Sequence, residues 1–141
     1  TYVHLENWLW VPEGQWHTVQ ASATVGGTTV TVTAEPSKIE WVMGDGHTKV
    51  CRNAGRPWMQ GMTDAARTSC GYAYNTISVK DRAGAYDPDG RFGVTAQFFY
   101  EVRWSCTGAC TAPGGDLGEY FGPLSPVAEL EVRQRQTVVT Q

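Results

Sequence analysis

Phe92-Gly93-Val94-Thr95-Ala96-Gln97-Phe98-Phe99-Tyr100-Glu101-Val102-Arg103-Trp104 decides the fold. Its even positions (Phe92, Val94, Ala96, Phe98, Tyr100, Val102, Trp104) are small or apolar, while the odd ones include Thr95, Gln97, Glu101 and Arg103. Successive side chains of a strand point to opposite faces, so this period of two describes a strand with one buried and one wet face. Phe99 is the exception on the wet side. Working outward, Val30, Val32 and Ala34 alternate with Thr29, Thr31 and Thr33, and Ala128, Leu130 and Val132 alternate with Glu129, Glu131 and Arg133. Val19, Ala21, Ala23 and Val25 give another strand, closed by Gly26-Gly27. Ile39, Trp41 and Met43 read as the apolar set of a separate strand that follows a Glu35-Pro36-Ser37 turn. Val3, Leu5, Trp8, Leu9 and Trp10 suggest an opening strand whose register the pattern does not fix.

Turn chemistry punctuates these runs at Gly14, Gly44-Asp45-Gly46, Asp87-Pro88-Asp89-Gly90 and Pro113-Gly114-Gly115, where Gly, Asn and Asp suit the positive-φ positions of hairpins. Helix signals reduce to one turn at Thr63-Asp64-Ala65-Ala66-Arg67. Some seven short strands with frequent turns indicate an all-β sandwich. The 141 residues, 41% hydrophobic, suit one domain with a real core. Charged residues make up 18%, too few for a coiled coil or an acidic disordered tail. Eleven Lys and Arg against 14 Asp and Glu give a net charge of −3, which argues against a nucleic-acid partner. Nothing approaches the roughly 18 apolar residues of a membrane-spanning helix.

The cysteines are Cys51, Cys70, Cys106 and Cys110. The sequence-local scheme joins Cys51 to Cys70 and Cys106 to Cys110, each bridge stabilising by roughly 2–3 kcal/mol through loop entropy. Zinc is the rival, but Cys106-Thr-Gly-Ala-Cys110 has three intervening residues where zinc pairs commonly have two, and His4, His17 and His47 lack ligand spacing. Disulfides imply an exported, extracellular protein. Thr1, with no Met and no apolar leader, is read as the start of a mature or trimmed chain.

Trp41-Val42-Met43-Gly44-Asp45-Gly46 resembles the W-x-F-G-D-G signature of PKD domains, an immunoglobulin-like sandwich family. Gly71-Tyr72-Ala73-Tyr74 and Gly90-Arg91-Phe92-Gly93-Val94-Thr95-Ala96 fill the later places of that pattern, so the resemblance spans residues 30–104. It departs where Met43 replaces an aromatic, where no His precedes Tyr74, and where a cysteine-flanked insertion separates the halves. The whole chain is also similar to the C-terminal β-domain of secreted actinobacterial proteins of unassigned role. Those carry W-x-M-G-D-G-x-x-x-x-C, C-G-x-x-Y and a final G/A-E-L-x-V strand, here Trp41 to Cys51, Cys70 to Tyr74 and Ala128 to Val132. The resemblance implies a single PKD-like domain over 1–141, with a tryptophan-rich segment 1–17 and an inserted loop 51–70. Within the motif, Trp41 is expected in the core, Gly44 and Gly46 in a tight turn, and Asp45 accepting its own loop's N–H groups. Tyr74 is expected to carry its hydroxyl to a backbone acceptor at a sheet corner.

Reaction chemistry finds little support. No G-x-S-x-G, H-E-x-x-H or phosphate-binding glycine loop occurs. Asp45 and His47 would need Ser69 or Ser78 and an oxyanion pocket to form a triad. Asp87 and Asp89 have part of the look of a calcium loop, against the plainer reading of a Pro-Asp-Gly turn. No catalytic residue, metal or cofactor is therefore expected. The six tryptophans matter more: Trp8, Trp10 and Trp16 are expected to be buried, and Trp58, flanked by Arg56, Pro57 and Met59, to be exposed in loop 51–70. These features point to a secreted, non-catalytic interaction module that binds other secreted proteins through Arg56, Trp58 and Met59. Exposed aromatic rings also leave a polysaccharide-binding module as the alternative. Residues 134–141 alternate weakly and are expected to extend the last strand.

Overall fold

The computed structural model describes residues 1–63, 65–79 and 89–134. Its spine is a pair of long antiparallel strands, β3 (Thr28–Val42) and β6 (Phe92–Gly108). Around them lie β1 (Glu6–Trp8), β2 (Val19–Val25), β4 (Thr48–Cys51), β5 (Gly71–Ala73), β7 (Gly114–Leu124) and β8 (Ala128–Leu130). All ladders between strands are antiparallel, and one short 3-10 turn, Glu13–Gln15, is the only helical element among the described residues. The fold is all-β. No helix among the described residues is long and apolar enough to cross a membrane.

Along the spine, β2 and then β4 pair with the outer side of β3, while β7 and β8 pair with the outer side of β6. β2 meets β3 at residues 28–34 and β4 meets it at residues 39–42. The junction is at Pro36, and here the structure corrects the sequence reading. Glu35-Pro36-Ser37 is not a turn; the chain runs straight through as one strand. Pro36 faces Tyr100, Lys38 faces Phe99 and Ile39 faces Phe98, so Ser37 is an extra residue accommodated by a bulge. Pro36 lacks an N–H to give a ladder, and a bulge is where a long strand tolerates it. The inserted residue switches the apolar parity of β3 from even (Val30, Val32, Ala34) to odd (Ile39, Trp41, Met43), and so keeps both sets on one face.

The two ends of the spine differ. Around residues 39–43 and 92–98 a second layer covers the apolar face. Leu9, Cys70 and Tyr74, which flank the β1–β5 pair, pack on Met43, Cys51, Val94 and Val132. Val11 with the half-buried Trp16 covers Ile39, Ala96 and Phe98. Tyr74, Ile39, Met43 and Val132 are fully buried, and each apolar side chain of that size contributes about 1.5–3 kcal/mol. Two bonds tie this end together: Val3 N–H donates to Arg133 O at 2.9 Å, and Val132 N–H donates to the buried Ser78 hydroxyl at 2.7 Å. Cys51 is bonded to Cys70 and Cys106 to Cys110, and no described cysteine is free. Two disulfides are consistent with an extracellular protein.

Gly114, expected in a turn, opens β7 instead. At residues 63–67, Ala66 N–H donates to Thr63 O at 3.0 Å, as in a single turn, while Asp64 lies outside the described residues. Asp87 and Pro88 of the expected turn, and residues 135–141 of the expected strand extension, also lie outside them.

Candidate functional site

At the other end of the spine nothing among the described residues covers the sheet. Cross-strand pairing places Val19, Ala21, Ala23 and Val25 of β2 beside Ala34, Val32, Val30 and Thr28 of β3. Those in turn sit beside Val102, Trp104, Cys106 and Gly108 of β6. Residues directly opposite share a face, so these strands present one continuous apolar side. It stays open: Val30 and Val32 are 37% and 38% exposed, Val25 is 82% exposed, and β2 is exposed along its whole length. Trp104 lies over Gly115, where an added Cβ would come within 2.9 Å of the indole nitrogen. Glycine there leaves room for the ring against β7.

The opposite side of the same strands is a hydroxyl ladder. Ser22 and Thr31 are hydrogen-bonded at 2.8 Å, Thr24 and Thr29 at 2.9 Å, and Gln20 donates to Thr33 at 3.2 Å. Arg103 reaches Glu35 at 3.0 Å. Where the covered and open ends meet, a groove of about 460 Å³ runs over Phe98 and Tyr100 between His17 and the Leu124–Pro126 corner. It extends the open apolar side towards the core.

The motif residues serve the fold at the covered end. Gly44 and Gly46 have φ of 84° and 92°, and a Cβ on Gly44 would fall 2.7 Å from the Gly93 carbonyl oxygen. Asp45 Oδ1 accepts His47 N–H at 3.0 Å and its Oδ2 accepts the Tyr72 hydroxyl at 2.6 Å. Tyr74 donates to Met43 O at 2.8 Å, stacks on Phe92 at 5.0 Å and meets Tyr72 edge-on at 5.1 Å. Burial first, and the Asp45 charge second, push the Tyr74 phenol up to about 12. Burial, then the bond to Asp45, holds Tyr72 still higher. Trp41 is half-buried between the two core clusters, and its indole N–H is buried without a partner. Sequence reasoning quoted Tyr72 without giving it a role; its shared parity with Tyr74 was the available signal.

Loop 51–70 carries Trp58 and Met59 at 58% and 59% exposure. It packs on the N-terminal segment, where the Arg56 guanidinium lies 5.6 Å from the Trp8 ring centre and Val11 N–H donates to Ala54 O. Arg56 also donates to Arg67 O at 3.1 Å. Arg56, Trp58 and Met59 thus belong to the covered end and are not part of the open sheet side. Of the three N-terminal tryptophans expected to be buried, Trp8 and Trp16 are half-buried, but Trp10 is 43% exposed. Trp10 follows β1 and edges a groove of about 260 Å³ that Asn7, Trp8, Trp41 and Glu129 also line, so no layer closes over it. No protein-family model, curated protein or solved structure matches this chain.

Ser78's hydroxyl is taken up by Val132 and Gly90, and Asp45 is committed to Tyr72 and its own loop. Among the described residues no three His, Cys, Asp or Glu side chains gather as metal ligands. The sequence pattern did reveal that one side of these strands is apolar. That no described residue covers it is a property of the folded molecule alone.

Proposed function

We propose that this protein is a secreted, non-catalytic interaction module, an adaptor or structural subunit of an extracellular protein assembly, built on a PKD-like, immunoglobulin-like sandwich frame. The covered end supports the frame: the β1–β5 pair lies over the main sheet, with Tyr74 and the Trp41-Val42-Met43-Gly44-Asp45-Gly46 turn at its corner. The observation that carries the function is the open apolar side formed by Val19, Val25, Val30, Val32 and Trp104. Contiguous exposed apolar surface of this kind marks protein interfaces, and its Trp is a typical anchor residue. The partner is another secreted protein presenting an apolar surface of its own. Trp58 and Met59 offer a second contact on the covered end.

Isolation of the native protein from the extracellular medium, with cross-link mapping of whatever accompanies it, tests this. Val32→Glu with Trp104→Ser should cut recovery of the partner protein at least about tenfold, while Trp58→Ala with Met59→Ala has a smaller effect. Undiminished recovery with both double variants would sink the reading. A polysaccharide recovered in place of a protein would instead favour the carbohydrate reading, for which the Trp8–Trp10 groove and the unpartnered Trp41 N–H speak.

A further inference from the structure

The open end of the sheet stops at two edges, and they are built differently. β7 carries Asp116, Glu119 and Pro123 and pairs with β6 through two register irregularities. Charge, proline and bulges are the devices that keep another strand from adding to an edge. β2 has none of them. Val19–Val25 contains no charged residue and no proline, and it pairs with β3 in unbroken register from Val19–Ala34 to Val25–Thr28. It is exposed throughout. One row of its backbone N–H and C=O groups therefore faces solvent with strand geometry already set, which is how a sheet recruits a further strand.

The β2 sequence selects which strand. Val19-Gln20-Ala21-Ser22-Ala23-Thr24-Val25 reads almost the same in reverse, with Ser22 at its centre. An antiparallel copy related by a two-fold axis at Ser22 sets Val19 against Val25 and Ala21 against Ala23 on the apolar side. On the other side it sets Gln20 against Thr24 and Ser22 against itself. Every cross-strand pair then matches in character, as a two-fold interface requires. A slip of one residue would put valine opposite threonine or glutamine, depending on its direction, and turn the two apolar sides to opposite faces.

We propose that the protein forms a two-fold dimer by antiparallel β2–β2 pairing centred on Ser22. Two four-stranded stretches join into one eight-stranded sheet, and the apolar sides of both copies lie on the same side of it. The joined side is about 40 Å across at the usual strand spacing, twice the width one copy offers. Seven paired residues per chain make a contact smaller than the roughly 1,600 Å² of a standard interface, so the dimer exchanges reversibly with monomer.

Sedimentation equilibrium of the full chain from about 1 to 300 μM should show monomer and dimer exchanging, the dimer gaining with concentration. Ser22→Lys sets two ammonium groups against each other on the axis and should raise the dissociation constant at least about tenfold, with the circular dichroism spectrum unchanged. A second measurement reads the register without relying on that variant. Under mild oxidation Ser22→Cys should cross-link to itself, Gln20→Cys alone should not, and Gln20→Cys mixed with Thr24→Cys should. A monomer at the highest concentration, a dimer indifferent to Ser22→Lys, or cross-linking by Gln20→Cys alone would each overturn the proposal. None of these outcomes bears on whether the apolar side binds another protein, which the Val32 and Trp104 variants test separately.

Discussion

Asp45 is the residue on which the covered end turns. Its side chain is almost wholly enclosed and holds the β3–β4 turn through His47 N–H while receiving the Tyr72 hydroxyl. Tyr72 and Tyr74 are both held protonated above their ordinary value of 10. The folded chain therefore keeps phenol protons that the unfolded chain releases from about pH 10 upward, and stability must fall as pH rises through that region. Thermal unfolding followed between pH 8 and 12 should show a melting temperature that is flat at first and drops beyond about pH 10. Tyr74→Phe should make that drop shallower. At neutral pH the same variant should cost about 1–3 kcal/mol, because Met43 O is left buried without its donor. An unchanged alkaline drop would remove Tyr74 from the account.

At the scale of elements, the bulge in β3 explains how one strand can show two apolar parities. Removal of Ser37 leaves Pro36 opposite Tyr100 and Ile39 opposite Phe98 in one regular register, with every apolar side chain on its present face. No described strand pairs with the outer side of β3 between Ala34 and Ile39, so Pro36 owes no donor there even without the bulge, and that shortened chain should still fold, with a melting shift of a few degrees. Removal of Glu40 instead swings either Trp41 and Met43 or Ile39 to the wrong face, and should cost more than about 4 kcal/mol, enough to abolish a cooperative melt. Circular dichroism melts of the two deletions decide the matter. The same feature marks the limit of the sequence reading. β2 was legible because its alternation is unbroken, and β6 because Phe99 is the one interruption in a long alternating run. Pro36 read as a stop because proline ends a ladder unless a bulge absorbs it, and local pattern cannot see the partner strand that makes the bulge possible. β7 was missed because Gly114, Gly118, Gly122 and Pro123 look like loop, and two register irregularities scramble its period. The open apolar side was half-legible: alternation shows that a face is apolar, but coverage depends on where segment 9–16 and loop 51–70 end up.

Across the whole molecule the stabilising contacts are unevenly spread, with both core clusters at one end of a shared spine. Cooperative opening follows buried contact density, so hydrogen exchange in dilute solution should grade along β3 and β6. Amides of residues 39–42 and 92–97 should exchange slowest and those of β2 fastest; equal protection at both ends would contradict the one-sided core. The Cys106–Cys110 bridge sits at the thin end, where it ties the turn between β6 and β7 and no described residue forms a second layer. The hydroxyl ladder behind that thin end has its own consequence. Ser22 with Thr31 and Thr24 with Thr29 share one hydrogen bond per pair, so each pair keeps one hydroxyl proton for solvent. Once a partner masks the valines and Trp104, the stretch left outward behind β2 is uncharged and hydrated, while Phe121, 71% exposed, lies farther along the same side opposite Phe99. Assembly at the open end is thus one-sided: a partner covers the valines and leaves a hydrated back behind β2.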